Sequence, residues 1–209
     1  MFRKIALLGS TAALLAGSLM VGGVAHAGAP PVNASGDTVS CATILKGTVG
    51  FKPSLTLAGS GPAVISIKGS LAGCTTNDAN ITSISGSFKG TLNSPTSSFT
   101  SLLGPSNATG TIVVTWKTVP ALVTKTTTVT ISAGNVVGGT NNPFADAATY
   151  GQFSISGAAV TGSFLGGDNG ASSATQALTT QDAGNLLATG SSATGIKAIN
   201  LGLGEINFG

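Results

Sequence analysis

The chain has 209 residues, of which 31 are glycine and 52 are serine or threonine. This excess disfavours helix, so the composition excludes a helical bundle or a coiled coil. Only 7% of the residues are charged, against roughly 25% in an average globular domain, which argues against charge-rich disorder.

The first 27 residues have the layout of a signal peptide. A short basic start precedes an apolar stretch at residues 5–24, and Ala25-His26-Ala27 matches the small-x-small pattern that signal peptidase reads. We expect cleavage between Ala27 and Gly28; the alternative is a retained membrane anchor. The sequence thus predicts an exported protein, secreted or associated with the cell envelope. Its mature chain would have seven lysines and six acidic residues, a net charge of +1.

Alternation of apolar and polar residues predicts most of the mature chain to be β-strand. Residues 28–37, rich in proline and small residues, are expected to form an extended leader rather than a packed element. A single domain is expected over residues 38–209. Within it, the alternating runs are residues 64–71, 84–92, 111–119, 126–133 and 152–164. In the last run the apolar parity changes near Gly157, which predicts a β-bulge.

One segment departs from the strand pattern. Thr179-Thr180-Gln181-Asp182 has the form of a helix start, and Gly190 stands where a C-cap glycine belongs. We expect a short helix at about residues 180–189. Residues 195–208 alternate again and are expected to be a final hairpin or one bulged strand. These elements predict an all-β fold, an antiparallel sandwich or partly closed barrel with one short helix near the C-terminus.

Cys41 and Cys74 are the only cysteines. An even number in an exported chain predicts a disulfide bond. The alternative, a redox or metal pair, lacks both a Cys-x-x-Cys motif and a histidine partner.

Little catalytic chemistry is available to the mature chain. The only histidine, His26, lies in the predicted signal peptide. Without a histidine, the mature chain cannot form a Ser-His-acid or Cys-His catalytic group or a histidine-ligated zinc site. We therefore expect no enzyme activity, no cofactor and no metal. Two acidic residues could still form a glycosidase pair, and the candidates are Asp37, Asp78, Asp146, Asp168, Asp182 and Glu205.

Oxygen ligands cluster at Asn77-Asp78 and at Asp168-Asn169-Gly170, where calcium is a second possibility beside an ordinary turn. Three Asn-x-Ser/Thr sequences, at Asn33, Asn80 and Asn107, fit the glycosylation pattern. The seven lysines are scattered singly along the chain, so no nucleic-acid partner is expected.

The chain resembles small exported β-sandwich proteins of actinobacteria in four features. These are the signal sequence, the low-charge strands rich in small residues, the pair Cys41 and Cys74, and the helix with Leu186-Leu187 before a terminal strand. The resemblance implies a location and a fold and no active site. We expect a non-catalytic protein with a structural or binding role, in contact with cell-envelope glycans or surface proteins, and able to form oligomers through strand edges. The alternatives are a carrier of an apolar small molecule between the sheets, an envelope-spanning β-barrel and the acid-pair glycosidase.

Overall fold

A computed structural model describes residues 29–56, 59, 61–98, 105–138, 152–165, 172–178 and 195–208. The predicted signal peptide, its cleavage site at Ala27 and Gly28, and the predicted helix at residues 180–189 lie outside the described residues. Among the described residues there is no helix, and hence none with the length and apolar character needed to cross a membrane.

The described elements are all strands: β1 (Val39–Leu55), β2 (Ala63–Thr76), β3 (Ser83–Ser94), β4 (Pro105–Ser106), β5 (Thr109–Val119), β6 (Thr126–Ile131), β7 (Val136–Gly138), β8 (Gln152–Gly162), β9 (Ser172–Leu178) and β10 (Ile196–Phe208).

All ten strands belong to one curled antiparallel sheet, in the order β4-β7-β8-β6-β5-β3-β2-β1-β10-β9. Since β8 also pairs with β9, the pairings return on themselves, and the sheet has a convex outer face and a concave inner face. The two stacked sheets of a sandwich are not confirmed, because the described strands form a single sheet. The arrangement agrees with the partly closed barrel that the alternation also allowed.

The five alternating runs are all confirmed as strands, β2, β3, β5, β6 and β8, although β6 and β8 each end two residues before the predicted run does. The register of β8 against β9 shifts between Ile155 and Ala158, which confirms the predicted bulge. The closing stretch is one strand, β10, and its register shifts between Leu201 and Gly204. Strands β1, β4, β7 and β9 were not predicted. In β1 a bulge between Leu45 and Thr48 interrupts the alternation.

The core lies on the inner face of the sheet. Along β5, Ile112, Val114 and Trp116 are buried, whereas Thr111, before Ile112, and Thr115, between Val114 and Trp116, are exposed. The alternation that predicted the strand therefore also separates core from surface.

Two aromatic rings on this inner face pack directly on glycines of the neighbouring strand. Phe88 pairs with Gly69, and Trp116 pairs with Gly86. A Cβ atom added to Gly69 would lie 2.5 Å from Cζ of Phe88, and one added to Gly86 would lie 3.0 Å from the indole of Trp116. The rings thus fill the space that a side chain at each of these glycines would need, which is the close packing of large side chains that glycine allows.

The described residues of the expected leader form no strand, and they contact the domain at one end. Val32 forms an isolated parallel bridge with Leu122, and the Phe164 N–H donates to the Ala34 carbonyl over 2.8 Å. Ala34 is only 1% exposed. The physical reason is that its small side chain fits under the chain that leaves β8, so the segment covers one end of the core.

Candidate functional site

The disulfide prediction is confirmed. Cys41 and Cys74 face each other across β1 and β2 and form a bond of 2.06 Å between their sulfur atoms. Cys41 is fully buried. The bond joins adjacent strands inside a packed sheet, so its role is structural.

Of the six acidic residues, the structure describes the side chains of two, Asp37 and Asp78. Burial, followed by the negative charge of Asp78, raises the pKa of Asp37 above its usual 3.8. Asp78 is engaged in a turn, because its Oδ1 accepts hydrogen bonds from the backbone N–H and the side-chain amide of Asn80, over 2.8 and 2.9 Å. Asn77 also acts locally, and its Oδ1 accepts from the Thr38 N–H over 2.8 Å.

These contacts are those of a polar turn that closes the end of β1 and β2. In the part of the chain that the structure describes, no three His, Cys, Asp or Glu side chains are grouped to hold a metal ion. Asp146, Asp168 and Asp182 lie outside the described residues, and Glu205 is described only as part of β10. Asn33, Asn80 and Asn107, which begin the Asn-x-Ser/Thr sequences, are all exposed.

A buried polar chain connects β5, β6 and the residues after β8. The indole N–H of Trp116 donates to Thr127 Oγ1 over 2.8 Å, and the Thr127 hydroxyl donates to the Ser163 carbonyl. The Ser163 hydroxyl in turn donates to the Thr124 carbonyl over 2.6 Å. Trp116 also meets Phe164 edge to face, with ring centroids 5.1 Å apart. Because Thr127 is fully buried, this chain holds the core together and is not available to a ligand.

In the described part of the chain, the convex side of five neighbouring strands forms one large exposed face. We call the outward-facing residues of β1, β2, β3, β5 and β6 the outer wall. Ser66, Thr91, Thr111 and Thr130 are directly paired across β2, β3, β5 and β6, and all four are exposed. Neighbouring strands lie about 4.8 Å apart and alternate residues about 7 Å apart along a strand. The pairing therefore sets hydroxyl groups on a regular grid.

Further short polar side chains extend this grid on both sides. Ser70 pairs with Ser87, and Ser87 pairs with Thr115; all three are exposed. Serine and threonine hydroxyls both donate and accept hydrogen bonds. The outer wall can thus form many weak hydrogen bonds with a polar partner.

The charged residues of the outer wall are all lysines. The five strands contain Lys46, Lys52, Lys68, Lys89 and Lys117 and neither aspartate nor glutamate. Lys68 stands directly opposite Lys89, a like-charge pair that costs roughly 0.2–1 kcal/mol. Lys46 lies in the bulge between Leu45 and Thr48, and Thr48 pairs with Lys68.

The structure therefore brings together Lys46, Lys68 and Lys89, which we call the lysine row, on three adjacent strands. All three are exposed. In the sequence each is a single lysine in a separate run, so their spacing along the chain does not indicate that the three share one face. The sequence does show one outward lysine near the middle of each of these strands. Only the register between the strands shows that the three lysines lie side by side.

Comparisons with protein-family models, with curated proteins and with solved structures find no match to this chain.

Proposed function

We propose that the protein is exported and acts without catalysis, by binding polar surfaces through its outer wall. One observation carries the proposal: exposed hydroxyl groups are paired from strand to strand across β2, β3, β5 and β6, on a face that also exposes Leu45, Val64 and Val119. Such a face favours wet contacts with glycans or with neighbouring proteins of a cell envelope.

Two further observations support the proposal. The Cys41–Cys74 bond suits an oxidising compartment outside the cytoplasm. The rings of Phe88 and Trp116 fill the space over the inner glycines, which weighs against the alternative of a carrier that holds an apolar molecule there. Export itself is tested by the intact mass of the protein recovered outside the cell, which should match cleavage after Ala27.

Sedimentation with insoluble polysaccharides tests the binding role. Purified protein is mixed with cellulose, with chitin or with peptidoglycan, and the bound fraction is measured. Thr91 and Thr111 are paired and exposed near the middle of the grid. The double variant T91V/T111V keeps the β-branched shape of both residues and removes two hydroxyls. We expect it to lose most of the binding.

The matched control is T75V/T124V. Thr75 and Thr124 are exposed and lie at the end of β2 and before β6, away from the grid. This variant should bind like the unmodified protein. If the unmodified protein sediments with none of the polymers, or if the two double variants bind equally, the proposed function is wrong.

A further inference from the structure

The lysine row is an arrangement that stability alone does not favour. Like charges placed directly opposite each other on one face of a sheet repel, and Lys68 and Lys89 are placed in this way. The strands that carry Lys46, Lys68 and Lys89, together with β5 beside them, contain no acidic residue. A carboxylate on these strands therefore cannot offset the repulsion. An anionic partner laid across the strands would do so.

We propose that the lysine row binds an acidic polysaccharide, a chain of sugars that carry carboxylate groups. The inference rests on the proposed function, because it names the chemical class of partner that the outer wall takes. The three lysines lie on successive strands about 4.8 Å apart, so a linear polyanion crossing the strands meets one lysine at each step. Each ammonium group offers three donors to a carboxylate.

Of the residues that flank the row, Leu45 and Val113 are apolar, and the hydroxyl-bearing ones suit a sugar chain. Thr48 pairs with Lys68. Val113 pairs with Lys89 on one side and with Thr128 on the other. On either side along β2 stand Ser66 and Ser70, both exposed. Hydroxyl groups next to the charges can exchange hydrogen bonds with sugar hydroxyls, while the lysines attract the carboxylates.

Two other polyanions fit the outer wall less well. Unpaired nucleic-acid bases bind by stacking on aromatic rings, but the aromatic residues of these five strands, Phe51, Phe88 and Trp116, are all buried. An anionic membrane is flat on the scale of a protein, whereas the outer wall is the convex side of a curled sheet. A flat surface therefore meets only a narrow strip of the wall, but a flexible chain can follow its curvature.

The test measures binding to fluorescently labelled polygalacturonate by anisotropy, at several salt concentrations. The double variant K68T/K89T removes the opposed charges and adds two hydroxyls. We expect it to bind more weakly than the unmodified protein, by about tenfold at physiological salt, and the slope of log affinity against log salt to fall by about 1.4, since each neutralised charge contributes about 0.7 on a single-stranded polyanion. Thermal unfolding of this variant should occur at or above the temperature of the unmodified protein, because the repulsive pair is gone.

The matched control is K52T/K117T, which makes the same change in net charge. Lys52 pairs with Val64, and Lys117 pairs with Ser85. Each pair lies four residues along its strand from the row, about 13 Å away, which exceeds a Debye length of about 8 Å at physiological salt. The two double variants are compared at physiological salt, where we expect this variant to bind within about twofold of the unmodified protein, since the removed charges are largely screened from the row.

Three results would overturn the inference. Equal weakening in both double variants would mean that net charge, and not the row, drives binding. Tighter binding to an oligothymidylate or to phosphatidylglycerol vesicles would assign the row to another class of partner. Equal binding to fully methyl-esterified polygalacturonate would show that the carboxylates do not matter; the proposed function would survive that result, because a neutral polysaccharide would still be bound.

Discussion

Replacing Thr127 by valine removes one hydroxyl from the centre of the core and changes the shape of the side chain very little. In the native protein this hydroxyl accepts from the Trp116 indole and donates to the Ser163 carbonyl. All three residues are at most 3% exposed, so water cannot replace the lost bonds. Each buried group left without a partner costs about 1–3 kcal/mol. Part of this is offset because valine buries a methyl group in place of a hydroxyl.

We therefore expect T127V to lower the free energy of unfolding by about 2 kcal/mol, or the melting temperature by roughly 4–8 °C for a domain of this size. Urea unfolding can be followed by the fluorescence of Trp116, the only tryptophan. The variant T127S keeps the hydroxyl and loses one methyl group, at about 1 kcal/mol. The reasoning is refuted if T127V stays within about 0.5 kcal/mol of the unmodified protein, or if T127S is the less stable variant.

Three further perturbations have definite expected outcomes. Gly69→Ala should lower the free energy of unfolding by about 1–2 kcal/mol, since the new methyl meets a buried ring. Gly36→Ala has nothing within 4 Å of its new Cβ and should leave the free energy of unfolding unchanged or slightly higher. Urea unfolding midpoints of the two variants test this difference. Replacing Cys41 and Cys74 by serine should cost about 3–4 kcal/mol, and equal melting temperatures with and without the bond would contradict this. Because the pKa of Asp37 is raised in the folded state, the free energy of unfolding declines as pH rises above about 3.8. In urea titrations Asp37→Asn should be slightly more stable than the unmodified protein at neutral pH and equally stable at acidic pH.

The sequence predicted strands where the inner face is filled by large apolar residues. In β3, Phe88 and Leu92 alternate with exposed polar residues, and the same rule holds in β5. Strand β1 was not predicted because its bulge has one extra residue, at Lys46. Across the bulge, the buried positions change from even-numbered to odd-numbered, so the alternation is interrupted. Strand β9, Ser172–Leu178, has mostly small or polar side chains, so its sequence has no contrast between a buried and an exposed face.

The candidate site was only half visible in the sequence. Hydroxyl-rich strand faces could be predicted from alternation, and this led to the expectation of a polar binding surface. The lysine row could not be predicted, since it depends on which residues of β1, β2 and β3 lie opposite one another. The burial of Ala34 could not be predicted either, because nothing local in residues 28–37 indicates that it fits into the end of the core.

By itself, the sequence determined the properties that depend on neighbouring residues: the strand character of most segments, the division of each strand into an inner and an outer face, and a disulfide between the only two cysteines. The tertiary structure alone decided that the strands form one curled sheet, that Phe88 and Trp116 cover glycines of adjacent strands, and that Lys68 faces Lys89. The physical reason is that register is fixed by pairing between segments distant in the chain, and a bulge of one residue changes which side chains become neighbours.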